Sequence, residues 1–245
     1  MSGQQVPTIF SRSRRVLRSK RAMSGGSATW LYDAMQEDIA ERLDFMRFEP
    51  SNAALIGAQT TQLASRFGAK SARVQTFVDI DEEVPLSVEA LDLLISLARL
   101  DSVNDLPGAL IHSRNALSPG GLMIAQIVGA GSLPTLRQIM LAADGDLPAA
   151  RIHPQIDDRA ATALLQRAGF SKQVVDTHKL TVRYSSLDRL VSDLREQALT
   201  SVLRSPAPQI GKAALARANA KFEELREEDG KVTETFNILT LTAWR

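Results

Sequence analysis

The sequence contains no cysteine among its 245 residues, and its three histidines, His112, His153 and His178, lie far apart. Without cysteine, structural disulfides, iron–sulfur ligation and thiol catalysis are excluded. Scattered histidines argue against a zinc centre, so no metal site is expected. Such a composition suits a reducing compartment. No apolar run approaches the length of a bilayer-spanning helix. A formal net charge of +1 provides no whole-molecule field for nucleic acid. P-loop, G-x-S-x-G and H-E-x-x-H patterns are missing as well, and no catalytic residue is identified. The length suffices for one large domain with its own core.

Acidic residues are missing locally. None precedes Asp33, whereas Arg12, Arg14, Arg15, Arg18, Lys20 and Arg21 are crowded together. Three readings stand for this segment: a transit peptide, a basic arm that touches a partner, nucleic acid or anionic lipid, or a solvated helix over 9–21 with Ile9, Phe10, Val16 and Leu17 on a weak apolar side. Arg14, Arg15 and Arg18 are the partner-contact candidates. Ser24-Gly25-Gly26-Ser27 reads as a break, which makes residues 1–28 an arm and linker and 29–245 the body.

What the body does have is strand–helix alternation. Leu31, Met35, Ile39 and Leu43 recur at helical spacing, so 29–46 reads as an amphipathic helix. Apolar runs at 53–57, 74–80, 91–96 and 122–128 read as strands buried on both faces. Between them, 61–67 reads as a helix stopped at Gly68 and 106–117 as another. Further on, helices are expected at 157–168, 187–203 and 212–228, and strands at 174–184 and 236–244. Strands alternating with helices predict an α/β fold with a doubly wound, mostly parallel sheet.

The stretch from strand 91–96 through Val103-Asn104-Asp105-Leu106-Pro107 and the turn Leu117-Ser118-Pro119-Gly120-Gly121 to strand 122–128 resembles class I S-adenosylmethionine (SAM) methyltransferases. There a strand of the type FDLVVS, a helix and an L-x-P-G-G turn precede the next strand. The wording SVNDLPGALIHSRNALSPGGLMIAQIVGAGSLPTLRQIMLAAD is similar to the methyltransferase-like family of mitochondrial complex I assembly factor 5 and its alphaproteobacterial relatives. The malonyl-acyl-carrier-protein methyltransferases of biotin synthesis are more distant cousins. LLQRAGF, VDTHKLTVRYSSLDRLVSDLRE, EEDGKVTETFNILTLTAWR and the opening IFSRSRRVLRSKRA extend the likeness over nearly the whole chain. The match at the opening weighs against a transit peptide.

This resemblance implies a Rossmann-like sheet shortened in its N-terminal half. It implies methyl transfer or arginine hydroxylation, with SAM as cofactor and a protein substrate or partner chain in respiratory complex I assembly. Location would be the bacterial cytoplasm or the mitochondrial matrix. The alternative is a pseudoenzyme, without cofactor, that keeps the fold as a binding or assembly module.

The sequence departs from the family at the expected site. Where LDLGCGRGxxxxxL is usual, the chain reads Leu55-Ile56-Gly57-Ala58-Gln59-Thr60-Thr61. Gly57 matches the first glycine. Threonine in place of later glycines restricts φ and adds bulk. Between Gly57 and Asp92 the chain is shorter than the family by about two dozen residues, close to the βα unit that brings a ribose-binding carboxylate. Gly57, Ala58, Gln59 and Asp79 are the cofactor candidates. Asp79, Asp81, Glu82 and Glu83 read otherwise as a solvated acidic loop. Leu100-Asp101-Ser102 replaces the aromatic pair of the family's LHWVNDLP. Asn104 and Asp105 are substrate candidates or caps of the following helix. Arg137 is a candidate for binding a carboxylate. His153, before Pro154, reads as a hydrogen-bonded loop histidine.

Overall fold

The computed structural model describes residues 7–25 and 28–245. Six strands form one sheet in the order β2-β1-β3-β4-β6-β5. They are β1 (Asn52–Ile56), β2 (Arg73–Phe77), β3 (Leu91–Leu97), β4 (Leu117–Val128), β5 (Ser171–Tyr184) and β6 (Val232–Trp244). The first four pair in parallel, and β6 runs antiparallel to both β4 and β5. The expected doubly wound, mostly parallel sheet is present. Only β2 lies beyond β1, where the dinucleotide-binding order 3-2-1-4-5-6 places two strands. The sheet therefore ends one strand beyond β1, and the chain after Gly57 returns to pair with β1 through β2.

Helices cover both faces. They are α1 (Arg12–Gly25), α2 (Trp30–Phe45), α3 (Thr61–Ala69), α4 (Leu106–Ala116), α5 (Pro134–Asp144), α6 (Asp158–Arg167), α7 (Leu187–Glu196) and α8 (Lys212–Glu224). Alternate strand residues divide the core. Leu55, Leu93, Ile95 and Ile124 pack with α2, α3, α5, α7 and α8. Ala54, Ile56, Leu94 and Met123 pack with α4 and α6 on the other face. Such double coverage is why these strands read as unbroken apolar runs. Leu31, Met35, Ile39 and Leu43 of α2 are all buried, as their spacing predicts. Each contributes about 1.5–3 kcal/mol by leaving water, so a charge at Ile39 would break this layer.

Local signals set several ends. The Asp105 carboxylate accepts from the Gly108 N–H at 2.9 Å and caps α4. A Cβ at Gly108 would collide with that carboxylate. Asp157 caps α6 through the Ala160 N–H at 2.7 Å, and Gly169 closes it at φ +82°. The Ser118–Gly121 turn lies inside β4 as a bulge: Leu91 pairs with Leu117, but Leu93 pairs with Leu122.

Several boundaries differ from expectation. Gly68 does not stop α3, which continues to Ala69. Strand β2 ends at Phe77, short of the expected residue 80. Helix α5 has no counterpart in the sequence reading. The helix expected over 187–203 ends at Glu196, because Val202 and Leu203 leave it to meet the N-terminal segment. There Phe10 bridges Leu203, and Ser11 N–H donates to the Val202 carbonyl at 2.8 Å. Ile9 and Phe10 consequently stay out of α1, which starts at Arg12 and runs through Gly25. Gly26 and Ser27 of the expected break lie outside the described residues.

Candidate functional site

A cavity of about 360 Å³ opens at the carboxyl ends of the parallel strands, where open α/β sheets receive ligands. Ala58 lies past the end of β1, Leu97 ends β3 with Ala98 just beyond it, and Val128 ends β4; all four line it. Leu136 and Met140 of α5, Leu194 of α7 and Phe236 of β6 supply further apolar wall. Tyr32 of α2, Asp101, and Arg15 and Ser19 of α1 supply polar wall. The basic arm thus forms part of the site.

Beside the cavity, Glu82 joins two arginines. Arg99 Nε donates to Glu82 Oε1 at 2.7 Å, and Arg15 donates to Glu82 Oε2. Arg15 also reaches the Arg99 carbonyl at 3.4 Å and the Ser102 carbonyl at 3.5 Å. All three ion-pair members are buried. Glu82 is therefore no part of a solvated loop: its ion pairs with Arg15 and Arg99 hold it inward. Burial raises the carboxyl of Asp101, despite the opposing pull of Arg15. Burial likewise raises the Tyr32 phenol, whose O–H donates to the Gln197 carbonyl at 3.0 Å.

The candidate residues separate. Gly57 closes β1 at φ +147°, and a Cβ there would stand 3.1 Å from the Leu97 carbonyl oxygen. Only glycine takes that position without strain. Ala58 borders the cavity, whereas Gln59 and Asp79 do not. The Asp79 residue is exposed, with its carboxylate 4.0 Å from Arg99. Asn104 does not cap α4. Its Oδ1 accepts from the Ile9 and Phe10 N–H groups at 2.7 and 2.8 Å and holds the N-terminal segment in place. Arg14 donates to the Leu203 carbonyl at 3.1 Å. Arg137 is exposed on α5 beside a second cleft of about 510 Å³. His153 lines both hollows, and its Nε2 accepts from the Val202 N–H at 2.7 Å.

SAM does not fit these residues well. Two N–H groups in the first turn of α3 are already taken. Gln36 Oε1 accepts from Gln62 N–H at 3.1 Å and from Leu63 N–H at 3.3 Å. The acid nearest the end of β2, Asp79, lies outside the cavity. No motif singles out Gln36 or Arg99, and Glu82 is marked only as one acid of the cluster 79–83. The available signal is a charged or amide residue set among apolar ones, as Arg99 is within Leu97-Ala98-Arg99-Leu100.

No protein-family model matches the chain. It is 27% identical over 224 residues to malonyl-[acyl-carrier protein] O-methyltransferase 1 of Coxiella burnetii, covering 84% of this chain and 78% of that protein. To the mouse (Mus musculus) mitochondrial arginine-hydroxylase NDUFAF5 it is 30% identical over 171 residues, covering 67% of this chain and 50% of the relative. To the Danio rerio protein of the same name it is 29% identical over 274 aligned positions, covering 100% of this chain and 85% of the relative. The matched region thus spans about half the length of the mouse relative and more of the other two. Among solved structures, Burkholderia thailandensis 1,6-didemethyltoxoflavin-N1-methyltransferase, with 1,6-didemethyltoxoflavin and S-adenosylhomocysteine bound, superposes with a TM-score of 0.52. That match covers 96% of this chain and 87% of that one at 13% identity, and it shows the fold.

Proposed function

We propose, for a chain that its fold and relatives place among the class I SAM-methyltransferase-like proteins, a role as a binding or assembly module that works through the carboxyl-edge cavity without SAM. The observation that carries this reading is Gln36: its side chain occupies the helix-terminal N–H groups that an anionic part of a cofactor would need. The buried ion pairs of Glu82 with Arg15 and Arg99 add to it, because they commit both oxygens of the buried carboxylate beside the cavity to arginines. The partner is a protein chain in respiratory complex I assembly, in line with the arginine hydroxylase named among the relatives.

Calorimetry and thermal shift with SAM and S-adenosylhomocysteine test the reading, since a ligand that binds the native state raises its stability. The expected result is no saturable shift at millimolar cofactor. Saturable binding of either compound sinks it.

One observation favours a second reading, SAM-dependent methyl transfer to a protein substrate. Gly57 keeps a glycine-only conformation against Leu97 at the point where the family's loop begins. Under that reading Gly57→Val abolishes a cofactor-induced shift that the unaltered chain displays.

A further inference from the structure

On α1, Arg15, Arg18, Ser19 and Ala22 are spaced to share one face. Arg15, Ser19 and Ala22 are buried and Arg18 is half-buried. Arg15 and Ser19 line the cavity. Arg15 spends one nitrogen on Glu82 and another on the carbonyls of Arg99 and Ser102, but its buried Nε has no acceptor among the described residues. The buried NH1 of Arg18 has none either. The charges acting on Arg18 are those of Arg14 and Arg21; burial and these two like charges lower its pKa to about 10.

His153 adds a third donor. Its Nε2 is an acceptor for the Val202 N–H, so the neutral ring carries its proton on Nδ1. Burial, followed by Arg18, lowers its pKa to about 4, which keeps the ring neutral near pH 7. Asp101 is the acid on the cavity wall, and burial disfavours its charged form. Arg15, with its unpartnered Nε, thus lies on the wall of a cavity that also presents Leu97, Val128, Leu133, Leu136, Leu194 and Phe236, and Arg18 acts by its charge on His153 of the same wall. Buried donors of this kind destabilise a fold unless something accepts from them.

We propose that Arg15 and Arg18, with the Nδ1–H of His153, receive the carboxylate or phosphate head group of an amphiphilic anion whose short apolar tail fills the cavity. The planar guanidinium suits either head group. This inference rests on the cavity being the working site, and it does not depend on whether SAM binds.

Calorimetry and thermal shift on the full chain, with octanoate, octyl phosphate and octanol as probes, test it. At least one anionic probe should bind saturably, with octanol roughly tenfold weaker or more. The two anionic arms distinguish carboxylate from phosphate. Arg18→Met should raise the melting temperature of the ligand-free chain, since it removes an unpaired charge, and should weaken anion binding by roughly tenfold or more. Octanol binding as tightly as the anions, or an unchanged anion affinity in Arg18→Met, overturns the anion site and leaves the cavity reading standing. A lower melting temperature for Arg18→Met, or no binding of either anion, also overturns it. Saturable SAM binding alongside intact anion binding refutes the binding-module reading alone.

Discussion

The Oε1 of Gln36 accepts from the Leu63 N–H at 3.3 Å and ties the middle of α2 to the first turn of α3. The same oxygen takes the Gln62 N–H, so one amide satisfies two donors that the helix itself leaves open. Gln36→Leu removes a buried cap and should cost about 1–2 kcal/mol of unfolding free energy. Denaturant titration measures it. A loss within a few tenths would show that the N–H groups find another acceptor.

Glu82 stands between two buried guanidinium groups. Replacing it by glutamine removes the counter-charge that Arg15 and Arg99 share, leaving only the longer 4.0 Å approach of Asp79 to Arg99, and should destabilise the chain by roughly 3–5 kcal/mol. Asp81→Asn, which breaks the partly exposed pair with Arg12, is the control and should cost less than about 1 kcal/mol. Equal losses in the two variants would deny that burial sets the difference.

Gly57→Ala places a Cβ 3.1 Å from the Leu97 carbonyl oxygen at φ +147°. Strain at such a backbone position costs about 1–3 kcal/mol. Gly120→Ala, also at positive φ but with open space around it, should cost less. Melting temperatures of the two variants make the comparison.

Acid should weaken the fold through His153. Its folded pKa, about 4, lies below the ordinary 6.5, so the unfolded chain binds the proton more readily. Stability from this group is present above pH 6.5 and is lost as pH falls toward 4. The size is up to a few kcal/mol, one pKa unit being about 1.4 kcal/mol. His153→Gln keeps a polar group there without a titration, and its stability curve should be flatter over that window. An equally steep curve would place the acid sensitivity elsewhere.

The scaffold was legible because its signals are local. Apolar runs long enough to be buried on both faces marked β1, β3 and β4, and Leu31, Met35, Ile39 and Leu43 marked α2. Asp105, as a cap candidate, marked the start of α4. Boundaries were missed where a distant partner intervened. The end of α7 is set by Phe10, nearly two hundred positions away, and nothing near Leu203 in the sequence encodes that bridge. Asn104 is a substrate or cap candidate by its place before a helix, where a side chain usually serves its nearest N–H groups. Here the Ile9 and Phe10 N–H groups took it instead.

By itself, the sequence determined the α/β class, the order of most elements, the loss of one βα unit and the erosion of the loop after Gly57. Periodicity, caps and motif wording all act within a few residues of one another. Only the tertiary structure decided that the sheet ends one strand beyond β1, that Gln36 closes the α3 terminus, and that Glu82 is buried between Arg15 and Arg99. It also decided that the basic segment is a wall of the cavity. Each of these depends on groups far apart in the chain being brought within hydrogen-bonding distance, and that proximity is a product of packing.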